Sequence, residues 1–157
     1  MSRRPLFSRA LRAACAAVLL AAAPAAAGTG PAGADLAVAA ANPAPAPDGG
    51  TTLLHPVVVN TGGGATAEPF TLLVHLPPGV VGSGTSPTGS CHTLPFGHTV
   101  ACDFPAGLAP GATATAEVRI RLSSGLGPGV LQGTAEADLP GDPTPGDNTA
   151  AFAIVVL

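Results

Sequence analysis

The sequence predicts an all-β fold, an antiparallel β-sandwich of about seven strands behind a secretion signal. Three observations carry this. Beyond position 34, apolar residues recur at every second position in short blocks, which is the period of a strand. Gly- and Pro-rich turn segments separate those blocks every 8–15 residues or so, the spacing of a sandwich. The longest unbroken apolar run, Ala13–Ala23, instead sits behind four arginines at the N-terminus.

That N-terminal stretch has the anatomy of a signal peptide. Arg3, Arg4, Arg9 and Arg12 form a positive n-region, Ala13–Ala23 an uncharged apolar centre, and Ala25-Ala26-Ala27 a small-residue cleavage site. The expected division is a signal peptide over 1–27, a linker over 28–34 and a single domain over 35–157. Ala32-Gly33-Ala34 offers a second, later cleavage site. Ser2-Arg3-Arg4 also fits a twin-arginine leader, so the export route stays open. The apolar run is shorter than the roughly 20 residues that cross a bilayer, so no membrane span is expected in the mature chain.

Composition narrows the function classes. After the leader only Arg119 and Arg121 remain, against nine acidic residues, a net charge of −7 with histidines neutral. A nucleic-acid or anionic-membrane partner needs clustered Lys and Arg, and such a surface repels both. Tyr and Trp are absent, and four of the five Phe lie beyond the leader. Any aromatic platform therefore has to be taken from the core. Gly and Pro are abundant, but the alternating apolar blocks argue against a disordered chain.

The strands are expected in this order. Asp35–Ala41 is short. Thr51–Asn60 carries Leu54, Pro56 and Val58 on one face, with Pro56 predicting an edge strand or a bulge. Pro69–Leu76 places Phe70, Leu72, Val74 and Leu76 on one face. Gly82–Ser90 reads as a flexible loop. Residues 90–104 read as a hairpin bent at Pro95–His98, with Cys91 and Cys102 flanking the bend. Thr113–Leu122 is the clearest strand: Ala114, Ala116, Val118, Ile120 and Leu122 alternate with polar residues, one face dry and one wet. Val130–Leu139 and Thr149–Leu157 close the set. A stretch of this length buries a core without needing a metal or several disulfides.

Three segments resemble a known family. Val57–Val81, with its Asn-Thr-Gly and Leu-Pro-Pro-Gly-Val, Leu108–Leu122, with Leu-Ala-Pro-Gly, and Asp138–Val156, with Asp-Pro-Thr-Pro-Gly-Asp-Asn-Thr-Ala, together resemble the bacterial domain-of-unknown-function-eleven repeats. CARDB-like adhesion modules are a close alternative. The resemblance implies an immunoglobulin-like sandwich on an extracellular bacterial protein, without catalytic residues. It also implies a cysteine pair before the Leu-x-Pro-Gly turn, which Cys91 and Cys102 match. The family often occurs in tandem, whereas this chain carries one unit. Leu139-Pro140-Gly141-Asp142 does not match a sortase signal, so no covalent wall anchor is expected.

Candidate sites are few. Cys91 and Cys102 are the cysteines left after the leader, and an even count in an exported chain points to a disulfide. The same stretch offers Cys91, His92, His98 and Cys102 as a tetrahedral zinc set, although neighbours on a strand point to opposite faces. His55 and His75 would form a transition-metal pair if their strands were neighbours in register. Asp138, Asp142, Asp147 and Asn148 supply oxygens of the kind calcium takes, without EF-hand spacing. No nucleophile elbow, Walker loop or zincin motif occurs. The expected function is a non-catalytic secreted or cell-envelope interaction module without a cofactor, whose partner is an extracellular protein or envelope component. The alternative is an extracellular module that binds calcium or a surface glycan.

Overall fold

The computed structural model describes residues 32–157, so the expected signal peptide and most of the linker lie outside the described residues. The chain forms β1 (Leu36–Ala40), β2 (Thr51–Leu54), β3 (Pro56–Asn60), β4 (Phe70–His75), β5 (Val80–Thr85), β6 (Ser90–Thr93), β7 (Thr99–Phe104), β8 (Thr113–Thr115), β9 (Glu117–Leu122), β10 (Gly129–Asp138) and β11 (Thr149–Val156). A 3-10 turn at Pro95–Gly97 is the one helical element described. No helix among the described residues is long and apolar enough to cross a membrane.

One layer is a five-stranded antiparallel sheet in the order β11-β10-β4-β7-β6. The other consists of two three-stranded sheets, β1-β3-β8 and β2-β9-β5. These are two halves of one bent ribbon. Leu54 opposes Val118 before the bend and Val57 opposes Thr115 after it, so the register runs on unbroken. At the corner the Ala116 N–H donates to the Pro56 carbonyl (3.2 Å).

The bend corrects two expectations. Thr51–Asn60 and Thr113–Leu122 each divide into two strands, because their inward stripes (Leu54, Pro56, Val58 and Ala114, Ala116, Val118) must follow the curve of the core. Pro56 marks neither an edge nor a mid-strand bulge: β3 lies between β1 and β8. The proline is the first residue of β3, at the corner, where its carbonyl still accepts from the Ala116 N–H and only its own N–H is missing from the ladder.

A third correction concerns Gly82–Ser90. β5 runs through it to Thr85 and pairs fully with β9. Gly82 and Gly84 lack the apolar side chains that give a strand its pattern, and the reason is close approach. A Cβ on Gly84 would stand 2.6 Å from Val100 Cγ1, and one on Gly82 would stand 2.7 Å from Leu76 Cδ1. The two layers meet here with no room for a side chain.

The core fills the space between the layers. Leu72, Val74, Val100, Ala135 and Ile154 face Leu54, Val58, Val118, Ile120 and Leu122, all essentially buried. Phe70 and Phe104 oppose each other in register and stack with ring centroids 5.1 Å apart. Phe152 is the largest fully buried side chain.

Candidate functional site

The registers decide which loops share an end of the sandwich. His75 opposes Thr99 and Thr134, while Phe70 opposes Phe104 and Thr71 opposes Asp138. The β6–β7 hairpin tip therefore lies at one pole. The β10–β11 loop and the turn before β8 lie at the other.

The second pole is organised by Asn60, which is fully buried at the end of β3. Its Oδ1 accepts from the N–H groups of Asp35 (3.2 Å) and Gly62 (3.1 Å). Its Nδ2 donates to the carbonyls of Gly64 and Leu108, both at 2.8 Å. Every hydrogen-bonding position of the amide is thus used. Thr61 adds an N–H and an O–H to the Asp35 carbonyl. The Asn-Thr-Gly and Leu-Ala-Pro-Gly segments of the family resemblance meet at this one side chain.

Beside it, Asp35, Asp142 and Asp147 each place one carboxylate oxygen within 4.8 Å of the other two. The oxygen set expected from the sequence is therefore only partly assembled. Asp138 does not join it: it sits on β10 opposite Thr71, exposed, because Ala137 and Leu139 take the inward positions. Asp35 takes its place, delivered from the start of β1. The Leu36 N–H donates to Asp142 Oδ2 (2.8 Å) and the Thr144 N–H to Asp142 Oδ1 (2.9 Å), which fixes that carboxylate.

At the open base of the β6–β7 hairpin, Cys91 and Cys102 oppose each other, with Cys102 beside Leu72 of β4, and are joined by a disulfide. This uses both sulfurs, so the zinc set is not assembled. His92 points away to Asp103 (3.5 Å), and His98 Nδ1 bonds the Val80 carbonyl (2.7 Å). The bridge closes a loop with a sequence separation of 11. Replacing both cysteines by alanine is expected to lower stability by about 3 kcal/mol in the chain-entropy account, read as a shift of the urea midpoint. A change below about 0.5 kcal/mol would show that the hairpin is held by its ladder alone.

The stapled hairpin carries Phe96 at its tip. This side chain is 90% exposed, whereas Phe70, Phe104 and Phe152 are buried. Phe96 also holds φ at 73°, the only non-glycine residue among those described to do so. Such a conformation costs of order 1 kcal/mol or more for a bulky residue. Gly97 lies against Val81, and Thr93 Oγ1 donates to the Gly82 carbonyl (3.0 Å), so the tip rests on β5. Leu94, next to the turn in the chain, and Val81, which touches Gly97, are each 37% exposed.

His55 and His75 are not brought together. His55 stands at the corner between β2 and β3, and His75 ends β4 in the other layer, bonded to Thr99 (3.3 Å). A shallow depression is lined by His55, Ser86 and Glu117, the residue types of a hydrolytic triad. Ser86 is otherwise engaged: its hydroxyl donates to the Thr115 carbonyl and accepts from the Thr88 and Gly89 N–H groups. No hydrogen bond joins the three side chains among the described residues, and Ser86 serves as a turn cap.

Sequence reasoning singled out neither Asn60, Asp35 nor Phe96 as a site residue. The Asn-Thr-Gly segment was a signal for the first. Pro95-Phe96-Gly97 at a hairpin bend was a signal for the third, since a scarce aromatic stands there between two turn residues. Asp35 lies over 100 residues from its carboxylate neighbours in the chain, and nothing local announces it.

No family model and no curated protein matches the chain. Solved structures do. A CARDB domain from Pyrococcus furiosus, determined in complex with di-metal ions, aligns with a TM-score of 0.56 at 14% identity, covering 82% of this chain and 92% of that one. The collagen-binding subdomain of the Enterococcus faecalis surface protein ACE gives 0.51 at 7% identity, over 75% and 95%. A variant of the major pilin subunit of Bacillus cereus gives 0.50 at 7%, over 79% of this chain and 40% of that one. The chain has the immunoglobulin-like, CARDB-like sandwich fold.

Proposed function

We propose that this chain is a non-catalytic interaction module of the bacterial cell exterior, of the domain-of-unknown-function-eleven or CARDB type. It contacts an extracellular protein or envelope component through the β6–β7 hairpin. One observation carries this reading. Of the four aromatic side chains among the described residues, one, Phe96, is exposed, in a backbone conformation that disfavours it, at the tip of a hairpin whose base is closed by a disulfide. Strain kept at an exposed aromatic points to a contact that uses it, and aromatic anchors dominate interface energetics. A rigid loop also loses little entropy on binding. The alignment with a collagen-binding surface domain supports an extracellular protein as the partner class.

Phe96→Gly separates stability from binding. Glycine accepts a φ of 73° freely, so this variant is expected to be more stable by about 1 kcal/mol or unchanged. In a solid-phase assay against a panel of extracellular matrix proteins including collagen, it is expected to lose at least about tenfold in affinity. Val130→Ala, which trims another exposed side chain, should bind as the parent does. Equal binding by all three proteins would end the proposal, as would failure of the parent to bind any panel member or envelope fraction.

A further inference from the structure

We propose that Asp35, Asp142 and Asp147 bind one calcium ion that locks the start of β1 to the β10–β11 loop. The cluster alone would be ordinary for exposed acids. What distinguishes it is a set of buried acceptors without donors. Asp35 is 5% exposed and Asn148 6% exposed, and the Oδ1 atoms of Asp35, Asp147 and Asn148 are all buried with no hydrogen-bond partner. Thr61 Oγ1 reaches only the other oxygen of Asp35, at 3.1 Å. Neither Arg119 nor Arg121 makes an ion pair with any of the three carboxylates. Asp35 and Asp147 each keep a buried, charged oxygen without a donor beside the Asp142 carboxylate, and a cation satisfies them.

The chemistry selects the ion. The donors are all oxygen, which suits a hard cation and not zinc or copper. Two oxygens about 2.4 Å from one calcium reach at most about 4.8 Å from each other, and the three oxygens of this set all lie within that distance. The donors come from a strand start and two loop positions, an irregular set that calcium tolerates and magnesium, with its strict octahedron at about 2.1 Å, does not. Asp142 is already oriented by the Leu36 and Thr144 N–H groups, and its remaining lone pairs are free to coordinate. The site adds nothing to the hairpin contact at the far pole and stands independently of it. Its effect is mechanical: it ties the point where the chain enters the domain to the loop that precedes the last strand.

The test uses the secreted protein stripped with a chelator. Titrating calcium calorimetrically should show one saturable site per chain. The melting temperature should rise by about 5 °C at a tenfold excess over Kd, and by much less with magnesium. Asp147→Asn keeps the shape and removes one charge. In chelator it should melt no lower than the parent, and in calcium it should lose the rise, so the two melting curves exchange order. Asp138→Asn, outside the cluster, should keep the full rise. Absence of saturable binding by the parent up to about 10 mM calcium would overturn the proposal whether or not the variant folds. So would an equal rise in the parent and in Asp147→Asn.

Discussion

Asn60→Ala is expected to destabilise the domain by about 3–5 kcal/mol. The substitution removes one side chain and strands three backbone groups, the N–H of Asp35 and of Gly62 and the carbonyl of Gly64, while the Leu108 carbonyl keeps only the Thr66 N–H. Each buried group left without a partner costs about 1–3 kcal/mol, reduced where water enters the space left behind. Asn60→Asp is expected to be as damaging at neutral pH, because it turns a carboxylate oxygen toward two carbonyl oxygens. Urea denaturation reads both, as a fall in midpoint with little change in slope. A loss under about 1 kcal/mol for Asn60→Ala would mean that the pole is held by the strand ladders and not by this amide.

Phe152→Ala should cost a similar amount, about 3–5 kcal/mol, from lost burial and the cavity left behind. Phe152 opposes Gly133 across β10 and β11, and its ring lies over the glycine. A Cβ on Gly133 would stand 2.6 Å from Phe152 Cε2 and 2.8 Å from the His75 carbonyl oxygen. Gly133→Ala alone is thus expected to cost about 1–3 kcal/mol by overpacking. Combined with Phe152→Ala, the two losses should sum to less than their separate values, by about 1 kcal/mol, since the first substitution removes half of the second one's clash. Strict additivity in a double-mutant cycle would show that the ring does not rest on Gly133.

Strands whose inner faces carry branched or aromatic side chains were legible from period alone. Phe70, Leu72 and Val74 on β4, and Phe152, Ile154 and Val156 on β11, face inward as their spacing predicts. β5 was not legible, because close contact between the layers demands glycine at positions 82 and 84 and glycine leaves no hydropathy pattern. The corner at Pro56 and Ala116 was hidden for a related reason. Alternation records which side a residue faces and not whether the sheet curves beneath it. Cys91 and Cys102 were legible as a pair because they are close in sequence and the hairpin between them is short. The acidic set was half legible: Asp142 and Asp147 share one loop, whereas Asp35 arrives through the pairing of β1 with β3, a long-range event. Asp138 was included on nearness in sequence, and strand alternation carries it to the other face.

The central claim is that the stapled hairpin is the surface through which this domain meets its partner. Site-specific photocrosslinking tests it most directly, with a photoreactive phenylalanine analogue placed at Phe96 or, as the control, at Leu53 on the outer face of the opposite layer. The proteins are displayed on or returned to the outside of the producing cells and irradiated. The account predicts a discrete adduct from position 96 that is absent from position 53 and is competed away by unlabelled parent protein. Adducts of equal yield from both positions, or none from position 96, would contradict it.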